Sequence, residues 1–354
     1  MNEAPTRYPE FEVSGSPREL GRQLGDAAGE QVRGFCQVAL ESVNRTVQVT
    51  PELAEAVARD SLTFAEQYSP DMVEELRGLA ESSGVTLEQL MLLQVRNQFV
   101  GGMDHACTAL SLHSQATTVG RAMVAQNWDN DPELDEFTIV LTRRPTGKPA
   151  LMNVTQAGLI SYLGFNDAGI GVCVNTLPAP SRPVGVPHYF TLRGVYEATC
   201  LEDAVQAVTR AERAIPANMM MATPQGPANL EITIDDVHVL RDTVALTHTN
   251  HCLHPQLVDF NEQFPELIES HPRKQRIDEL VMAGGDPLSL EQVKMALSDH
   301  DNYPRSICRH ANDDPLHGFM TSVFSIIIEA DERQMHVSRG NPCCQPYVTY
   351  QLDG

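Results

Sequence analysis

Cys107 is the first residue in this sequence whose setting suggests chemistry. It follows the glycine-containing stretch Gly101-Gly-Met-Asp-His-Ala and opens a strand-like run, Cys107-Thr-Ala-Leu. A cysteine thiolate can attack a carbonyl carbon and hold the acyl group as a thioester. Most free cysteines are buried packing residues. A catalytic role for Cys107 is therefore favoured only in combination with three later segments. They are Gln126-Asn-Trp-Asp, Thr155-Gln-Ala-Gly and His248-Thr-Asn-His-Cys-Leu.

The last of these segments also allows a different chemistry. His248, His251 and His254 lie three residues apart, with Cys252 among them, and imidazole and thiolate groups bind zinc. A helical zinc-hydrolase motif also places an acidic base between its histidines. Thr and Asn stand there instead, and the preceding Val244-Ala-Leu predicts a strand. A zinc-dependent hydrolase is therefore the weaker alternative, and we expect no metal.

Hydrophobic periodicity predicts that the residues before Cys107 are mainly helical. Leu20, Leu24, Ala27 and Val32 recur at three- to five-residue steps, as on one face of a helix. Proline favours the first turn of a helix, and Ser or Thr favours the cap before it. These signals predict four helical stretches, which begin near Pro17, Pro51, Pro70 and Thr86 and end at Gly101-Gly102.

After Gly102 the apolar period shortens towards two, which is typical of strands. Strands are predicted within 108–112, 122–126, 137–142, 150–155, the hairpin 161–174, several short runs in 217–248, and 321–328, 335–337 and 347–352. Helices are predicted near 189–199, 201–212, 273–282 and 290–298. This order favours an α+β fold, in which two antiparallel sheets lie between helical layers.

The composition and net charge indicate which classes of binding partner are unsuited to this chain. The 354 residues are 42% hydrophobic and carry a formal net charge of -22. Such a chain is globular and repels phosphate backbones and anionic lipid heads, so we expect neither nucleic acid nor a membrane as a partner. No secretory signal or membrane-spanning run occurs, and none of the eight cysteines forms a CxxC pair. The cytoplasm is the expected compartment.

Motifs in order along nearly the whole chain resemble the acyl-coenzyme A:isopenicillin N (6-aminopenicillanic acid) acyltransferase family of cysteine N-terminal-nucleophile hydrolases. They are Gly15-Ser-Pro-Arg-Glu-Leu-Gly, Ala106-Cys-Thr, Gly120-Arg-Ala-Met-Val-Ala-Gln-Asn-Trp-Asp, Gly164-Phe-Asn-Asp-Ala-Gly-Ile-Gly-Val, Gly185-Val-Pro-His, Asp301-Asn-Tyr-Pro-Arg-Ser-Ile-Cys-Arg and Gly340-Asn-Pro-Cys. The resemblance implies a four-layer αββα sandwich. It also implies a precursor that cleaves its own Ala106–Cys107 bond, which divides one domain into segments 1–106 and 107–354.

The resemblance further implies roles for single residues. Cys107 matches the nucleophile, and its new α-amino group would be the base, because a thiol and an α-amine titrate close to each other. Asn250 matches the side-chain donor to the oxyanion, since an amide NH₂ donates without adding charge. Asp129 matches the carboxylate near the nucleophile's amino group. Gln156 stands where the family commonly has Glu, so a charge-dependent role is not implied there.

Four further residues match positions near the substrate or in family motifs: Thr108, Trp128, Phe165 and Arg309. A core position is the alternative for Trp128, and a structural ion pair is the alternative for Arg309.

The implied reaction needs no cofactor. An acyl group would pass from a small N-acyl amide to Cys107 as a thioester and then to water. The alternative is acyl transfer from a coenzyme A thioester or an amide to an amine such as a β-lactam nucleus. The two segments would stay associated with each other, and a homo-oligomer is compatible with the sequence.

Overall fold

The computed structural model describes residues 5–41, 43–100, 106–264, 269–282 and 286–354. The helices are α1 (Pro17–Gln37), α2 (Pro51–Tyr68), α3 (Pro70–Ser83), α4 (Leu87–Phe99), α5 (His188–Tyr196), α6 (Leu201–Thr209), α7 (Phe260–Gln263), α8 (Ser270–Met282) and α9 (Leu290–Leu297). The strands are β1 (Glu10–Gly15), β2 (Ala106–Leu112), β3 (Met123–Asn130), β4 (Thr138–Pro145), β5 (Leu151–Gln156), β6 (Leu163–Asn166), β7 (Gly171–Asn175), β8 (Ala217–Ala222), β9 (Ala228–Ile232), β10 (Val237–Arg241), β11 (Ala245–His248), β12 (Thr321–Glu329), β13 (Gln334–Arg339) and β14 (Tyr347–Gln351).

The four predicted helices of the N-terminal segment are confirmed, and their first turns explain where they begin. Thr50 caps α2 by accepting from Leu53 N (3.3 Å). α4 begins with a capping box, in which Thr86 Oγ1 accepts from Gln89 N (3.2 Å) and Gln89 Oε1 accepts from Thr86 N (2.9 Å). Each bond satisfies an N–H that the helix itself leaves without a partner. The predicted end of this block at Gly101-Gly102 lies outside the described residues.

α1 and α3 approach each other closely because glycines stand at their crossing. A Cβ atom added at Gly21 of α1 would lie 1.9 Å from the backbone oxygen of Glu75 in α3. A Cβ atom added at Gly78 of α3 would lie 2.1 Å from the backbone oxygen of Arg18. The two helix backbones therefore touch at a distance that only glycine allows.

One sheet has eight strands in the order β1-β4-β5-β6-β7-β8-β9-β10. Its neighbours are antiparallel except β1 and β4, which pair in parallel with Glu10 opposite Val140. β1 has no counterpart among the predicted strands. It places a strand from before Cys107 at the edge of a sheet whose other strands all come after Cys107.

The second sheet has six strands in the order β11-β2-β3-β12-β13-β14, and all of its neighbours are antiparallel. β2 and β3 lie inside this sheet, with Ala106 opposite Asp129 and Cys107 opposite Trp128. β3 pairs with β2 along its whole length, whereas β11 pairs only with residues 109–112, so Cys107 has a strand partner on one side.

The two sheets pack face to face. Gln126 of β3 reaches across the interface, where its Nε2 donates to Val174 O and its Oε1 accepts from Val174 N, both at 2.7 Å. Helices α1 to α6 cover the eight-stranded sheet, and α8 and α9 cover the other, where Asn127 Nδ2 donates to Leu297 O (2.7 Å). The predicted αββα sandwich is confirmed, apart from the one parallel pair. In the described residues, none of the helices has the length and apolar character that crossing a membrane requires.

Candidate active site

Cys107 is the second residue of β2 and is only 2% exposed. In the continuous chain its backbone N–H donates to Asn250 Oδ1 (2.9 Å). Burial raises the pKa of the thiol to about 12, and the negative charge of Asp129 adds to this. Arg273 and hydrogen bonds from the Asp129 backbone and the Gln126 side chain oppose the rise. The thiol is therefore protonated at neutral pH and needs a base before it can attack a carbonyl.

Asn250 reaches Cys107 because β11 runs antiparallel to β2. Just past the end of β11, the Asn250 backbone N–H donates to Ser270 Oγ (2.8 Å). The Nδ2 group of Asn250 donates to Thr176 Oγ1 (2.8 Å). The side-chain amide thus presents its oxygen to Cys107 N and its NH₂ group to Thr176.

Asp129 is fully buried near the end of β3, directly across from Ala106. Its Oδ1 accepts from Ser322 Oγ of β12 (2.6 Å), and its Oδ2 lies 3.8 Å from Arg309 Nε. Burial raises the pKa of this carboxyl to about 6, although Arg309, Arg273 and the Ser322 hydrogen bond favour the charged form. A group with this pKa changes its charge close to neutral pH.

Arg273 of α8 is a site residue that sequence reasoning misses. Its guanidinium donates to Cys107 O, to Thr108 Oγ1 (2.9 Å) and to Asn250 Oδ1 (2.8 Å). The side chain is fully buried, and burial lowers its pKa to about 10, so it stays charged at neutral pH. The planar guanidinium therefore holds the Cys107 backbone and the Asn250 amide in a fixed relation. Within its helix Arg273 is an ordinary basic residue, so no sequence signal identifies it.

A small cavity of about 20 Å³ lies beside Cys107. Tyr162, Thr176 and His188 line it, together with Asn97 from α4. Burial lowers the pKa of His188 to about 4, so this imidazole is neutral at neutral pH. A cavity of this size has room for about one water molecule.

Of the other predicted site residues, two contact the groups around Cys107 and two are buried packing residues. Thr108 contacts Arg273, as described above, and Arg309 forms an ion pair with Glu269 (2.6 Å) besides facing Asp129. Trp128 packs on Phe324, with ring centroids 4.9 Å apart, and is 1% exposed. Phe165 is buried in β6 and is not among the residues that line the cavity.

The histidine segment after β11 contradicts the zinc alternative. His248 Nε2 contacts Glu231 Oε1 (2.9 Å), His251 stacks on His271, and His254 stacks on His238. In the described part of the chain, these histidines and Cys252 do not bring their ligand atoms together in a group that could hold an ion. The segment is not helical, and β11 agrees with the strand predicted from Val244-Ala-Leu, so the spacing of three residues does not bring these histidines together.

Comparison with solved structures finds low-similarity matches. Penicillin V acylase from Agrobacterium tumefaciens matches with a TM-score of 0.45 and 12% identity, over 65% of this chain and 82% of that one. A mutant of the conjugated bile acid hydrolase from Clostridium perfringens matches with a TM-score of 0.43 and 11% identity, over 70% of this chain and 97% of that one.

Comparison with sequences is more informative. The acyl-coenzyme A:6-aminopenicillanic-acid-acyltransferase 40 kDa form of Emericella nidulans (strain FGSC A4 / ATCC 38163 / CBS 112.46 / NRRL 194 / M139) is 29% identical over 335 residues, which cover 93% of this chain and 91% of the relative. Residues 116–343 match the family model described as acyl-coenzyme A:6-aminopenicillanic acid acyl-transferase. With most of its length matched, the chain belongs to this family of enzymes.

Proposed function

We propose that the chain cleaves its own Ala106–Cys107 bond and then hydrolyses a small N-acyl amide through a thioester on Cys107. The observation that carries the proposal is the setting of Cys107. Its N–H is bound by Asn250, its side chain borders a cavity, and Asp129 stands opposite the residue before it. The nucleophile, a charged oxygen and polar donors converge there from three separate parts of the chain.

In the cleavage step, Cys107 Sγ attacks the carbonyl carbon of Ala106. The Cys107 nitrogen leaves and takes up a proton, the acyl group moves to sulfur, and water then hydrolyses the thioester. The continuous chain has no α-amino group at Cys107, so another base must accept the thiol proton. The Asp129 carboxylate suits this role because it is buried nearby and its pKa is about 6.

In the turnover step, the new α-amine takes the thiol proton and Sγ attacks the substrate carbonyl. The leaving amine is protonated by the ammonium group, and water then releases the acid from the thioester. The Asn250 NH₂ group is our candidate donor to the oxyanion. It faces Thr176, a cavity residue, so a substrate oxygen would replace Thr176 as its acceptor.

Among the described residues, the cavity beside Cys107 has room for about one water molecule and not for an acyl chain. We therefore expect substrate to enter only after cleavage has separated residue 106 from residue 107. Segment 1–106 contributes Asn97 to the cavity wall, so both segments would shape the pocket.

Acyl transfer to an amine is the second candidate, and the names of the family and of the Emericella nidulans relative favour it. Both reactions share the thioester and differ in the group that attacks it. Cleaved enzyme supplied with an acyl thioester should give free acid in water and an N-acyl product when 6-aminopenicillanic acid is added. The ratio of the two products decides between hydrolysis and transfer.

Cleavage is tested by the intact mass of freshly folded protein. We expect fragments of about 12 kDa and about 27 kDa, which are the shares of 39.0 kDa that residues 1–106 and 107–354 contribute to 354 residues. The larger fragment should begin with Cys107. Cys107→Ala should leave one uncut chain, whereas the control Cys200→Ser should be cut normally because Cys200 lies outside the site, at the start of α6. A wild-type chain that stays whole yet turns over substrate would refute the proposal.

A further inference from the structure

Four side chains that the active site does not use converge on the far side of Arg309. His300, Cys308 and His310 come from the connection between α9 and β12, and Cys343 follows β13. Their ligand atoms all lie within 4.8 Å of one another. Two thiols and two imidazoles form the side-chain set of a closed structural zinc site.

The three distances that meet at His310 Nε2 are close to the edges of a tetrahedral zinc site. His310 Nε2 lies 3.6 Å from Cys308 Sγ, 3.5 Å from Cys343 Sγ and 3.1 Å from His300 Nε2. With zinc–sulfur bonds of about 2.3 Å and zinc–nitrogen bonds of about 2.0–2.1 Å, tetrahedral edges are about 3.5 Å for S···N and about 3.3 Å for N···N. These three edges agree with the tetrahedral values to within about 0.2 Å, and the other pairs of ligand atoms lie within 4.8 Å.

Hydrogen bonding alone does not account for this convergence. Three atoms approach the single nitrogen His310 Nε2. An imidazole nitrogen carries either one hydrogen or one lone pair, so it cannot satisfy three neighbours at once. A cation at the centre would satisfy all of them, because the nitrogen lone pairs and the thiolates would point at the ion rather than at each other.

Neighbouring groups form hydrogen bonds to two of these four residues. Asn341 Nδ2 lies 3.5 Å from Cys308 Sγ and donates to Arg309 O (2.7 Å). The His310 backbone N–H donates to Pro304 O (2.9 Å). Contacts of this kind orient metal ligands and raise the affinity of a site.

We propose that His300, Cys308, His310 and Cys343 bind one zinc ion, which ties the connection between α9 and β12 to the segment after β13. This connection runs from 298 to 320 with no named helix or strand, a length that is uncommon in a compact domain. All four positions are filled by protein groups, so the role is structural rather than catalytic. The proposal does not depend on the chemistry at Cys107.

The tether would act on the active site through Arg309, which lies between two of the ligands. The Arg309 backbone N–H donates to Ser322 Oγ (3.0 Å), and the same hydroxyl donates to Asp129 Oδ1. The bound ion would therefore hold Arg309 as a positioning residue beside the Asp129 carboxylate.

Elemental analysis of full-length protein, purified under reducing conditions, tests the site. We expect about one zinc ion per chain, and loss of this zinc in Cys308→Ser and in Cys343→Ser. The matched control Cys344→Ser removes the exposed neighbouring thiol and should keep the zinc. The Cys107→Ala chain should also keep it, so a failure of the proposed catalysis leaves this test intact. Equal zinc contents in wild type and Cys343→Ser would overturn the proposal.

Two further measurements guard against a variant that fails to fold. Cobalt-loaded wild-type protein should show thiolate-to-metal absorption and the intense visible bands of a tetrahedral site. Asn341→Ala, which keeps all four ligands, should weaken zinc binding by about 10-fold to 100-fold. If the mass of the wild-type protein is lower by two hydrogens and a reducing agent restores it, these cysteines form a disulfide. That result would overturn the metal assignment.

Discussion

Two acidic side chains with raised pKa values lie close together where the start of β2 pairs with the end of β3. The Cys107 thiol and the Asp129 carboxyl are both fully buried, and burial is the main cause of both shifts. Asp129 loses its proton far more readily than Cys107, so it is charged at neutral pH while the thiol is not. The charged carboxylate is thus the proposed proton acceptor in the continuous chain, where Cys107 has no α-amine, and the transfer must be completed by attack on the carbonyl because the thiol is the weaker acid.

Self-cleavage should therefore depend on pH through Asp129. The charged groups that face it are Arg309 and Arg273, the uncharged Cys107 thiol lies beside it, and Ser322 donates to it. Below about pH 6 the carboxyl is protonated and cannot act as a base, so the rate should rise as pH increases through about 6. The measurement is the cleavage rate of newly synthesised chain between about pH 5 and pH 8.

The matched pair for this experiment is Asp129→Asn and Asp131→Asn. Asp129→Asn should remove the inflection near pH 6 and lower the rate by about 10²-fold or more. Asp131 lies two residues away and caps Glu133 N (3.1 Å), a role that Asn also fills. Asp131→Asn should keep the inflection, and an unchanged profile in Asp129→Asn would exclude Asp129 as the base.

The sequence predicts Cys107, Asp129 and Asn250 as site residues because each lies in a segment that resembles a motif of the family. It does not identify Arg273 or Ser322, which meet the site only through folding. Arg273 is 166 residues from Cys107, and Ser322 is 193 residues from Asp129. The cysteines and histidines of the proposed zinc site are hidden for the same reason, since His310 and Cys343 are 33 residues apart.

At the scale of elements, the helices of segment 1–106 follow from local signals, while β1 does not. Apolar residues every three or four positions and Pro, Ser or Thr at the first turn predict α1 to α4. β1 is the six-residue run Glu-Phe-Glu-Val-Ser-Gly, and only Val13 in it is buried. Its pairing partner β4 lies more than 120 residues further along the chain. β1 therefore depends on a long-range contact and cannot be predicted from its own residues.

The crossing of α1 and α3 gives a test of packing against helix propensity. Gly21→Ala would bring Cβ into the backbone of α3, so we expect a loss of about 1–3 kcal/mol in the free energy of unfolding. Gly29→Ala is the control on the same helix, because its nearest atom is Arg33 Nη1 at 3.1 Å, the end of a flexible side chain. Gly29→Ala should be neutral or gain up to about 1 kcal/mol from helix propensity.

Urea unfolding of both variants in the uncut Cys107→Ala background measures this difference. Equal unfolding midpoints for the two alanine variants would show that α1 and α3 can move apart without cost. That result would contradict the close approach of the two backbones.

At the scale of the whole molecule, the two proposed segments share one core. Glu75 of α3 binds Arg143 of β4 (2.7 Å) and Arg193 of α5 (3.1 Å), and these side chains are 5%, 1% and 2% exposed. The ion pairs therefore join segment 1–106 to segment 107–354 at a buried position. We expect the cut segments to stay together because this contact and β1 are unaffected by cleavage.

Glu75→Ala should weaken that association strongly. Removing one partner of a buried ion pair costs about 3–5 kcal/mol. Here it takes the carboxylate from buried Arg143 and leaves buried Arg193 with only Glu197 (3.4 Å). Glu74→Ala is the neighbouring control, because Glu74 is 43% exposed and its pairs with Arg18 and Arg77 contribute at most about 1 kcal/mol. Size-exclusion chromatography of cut protein in mild urea should separate the segments of Glu75→Ala first. Identical elution of both variants would contradict this role.

The strand order β11-β2-β3-β12 has a consequence for biosynthesis. A nascent chain on the ribosome acquires Cys107 early, but Asn250 emerges 143 residues later and Arg273 a further 23. β12, which brings Ser322 to Asp129, is made near the end of translation. Cleavage would then require a nearly complete polypeptide. Nascent chains whose translation is stopped before residue 322 should therefore remain uncut.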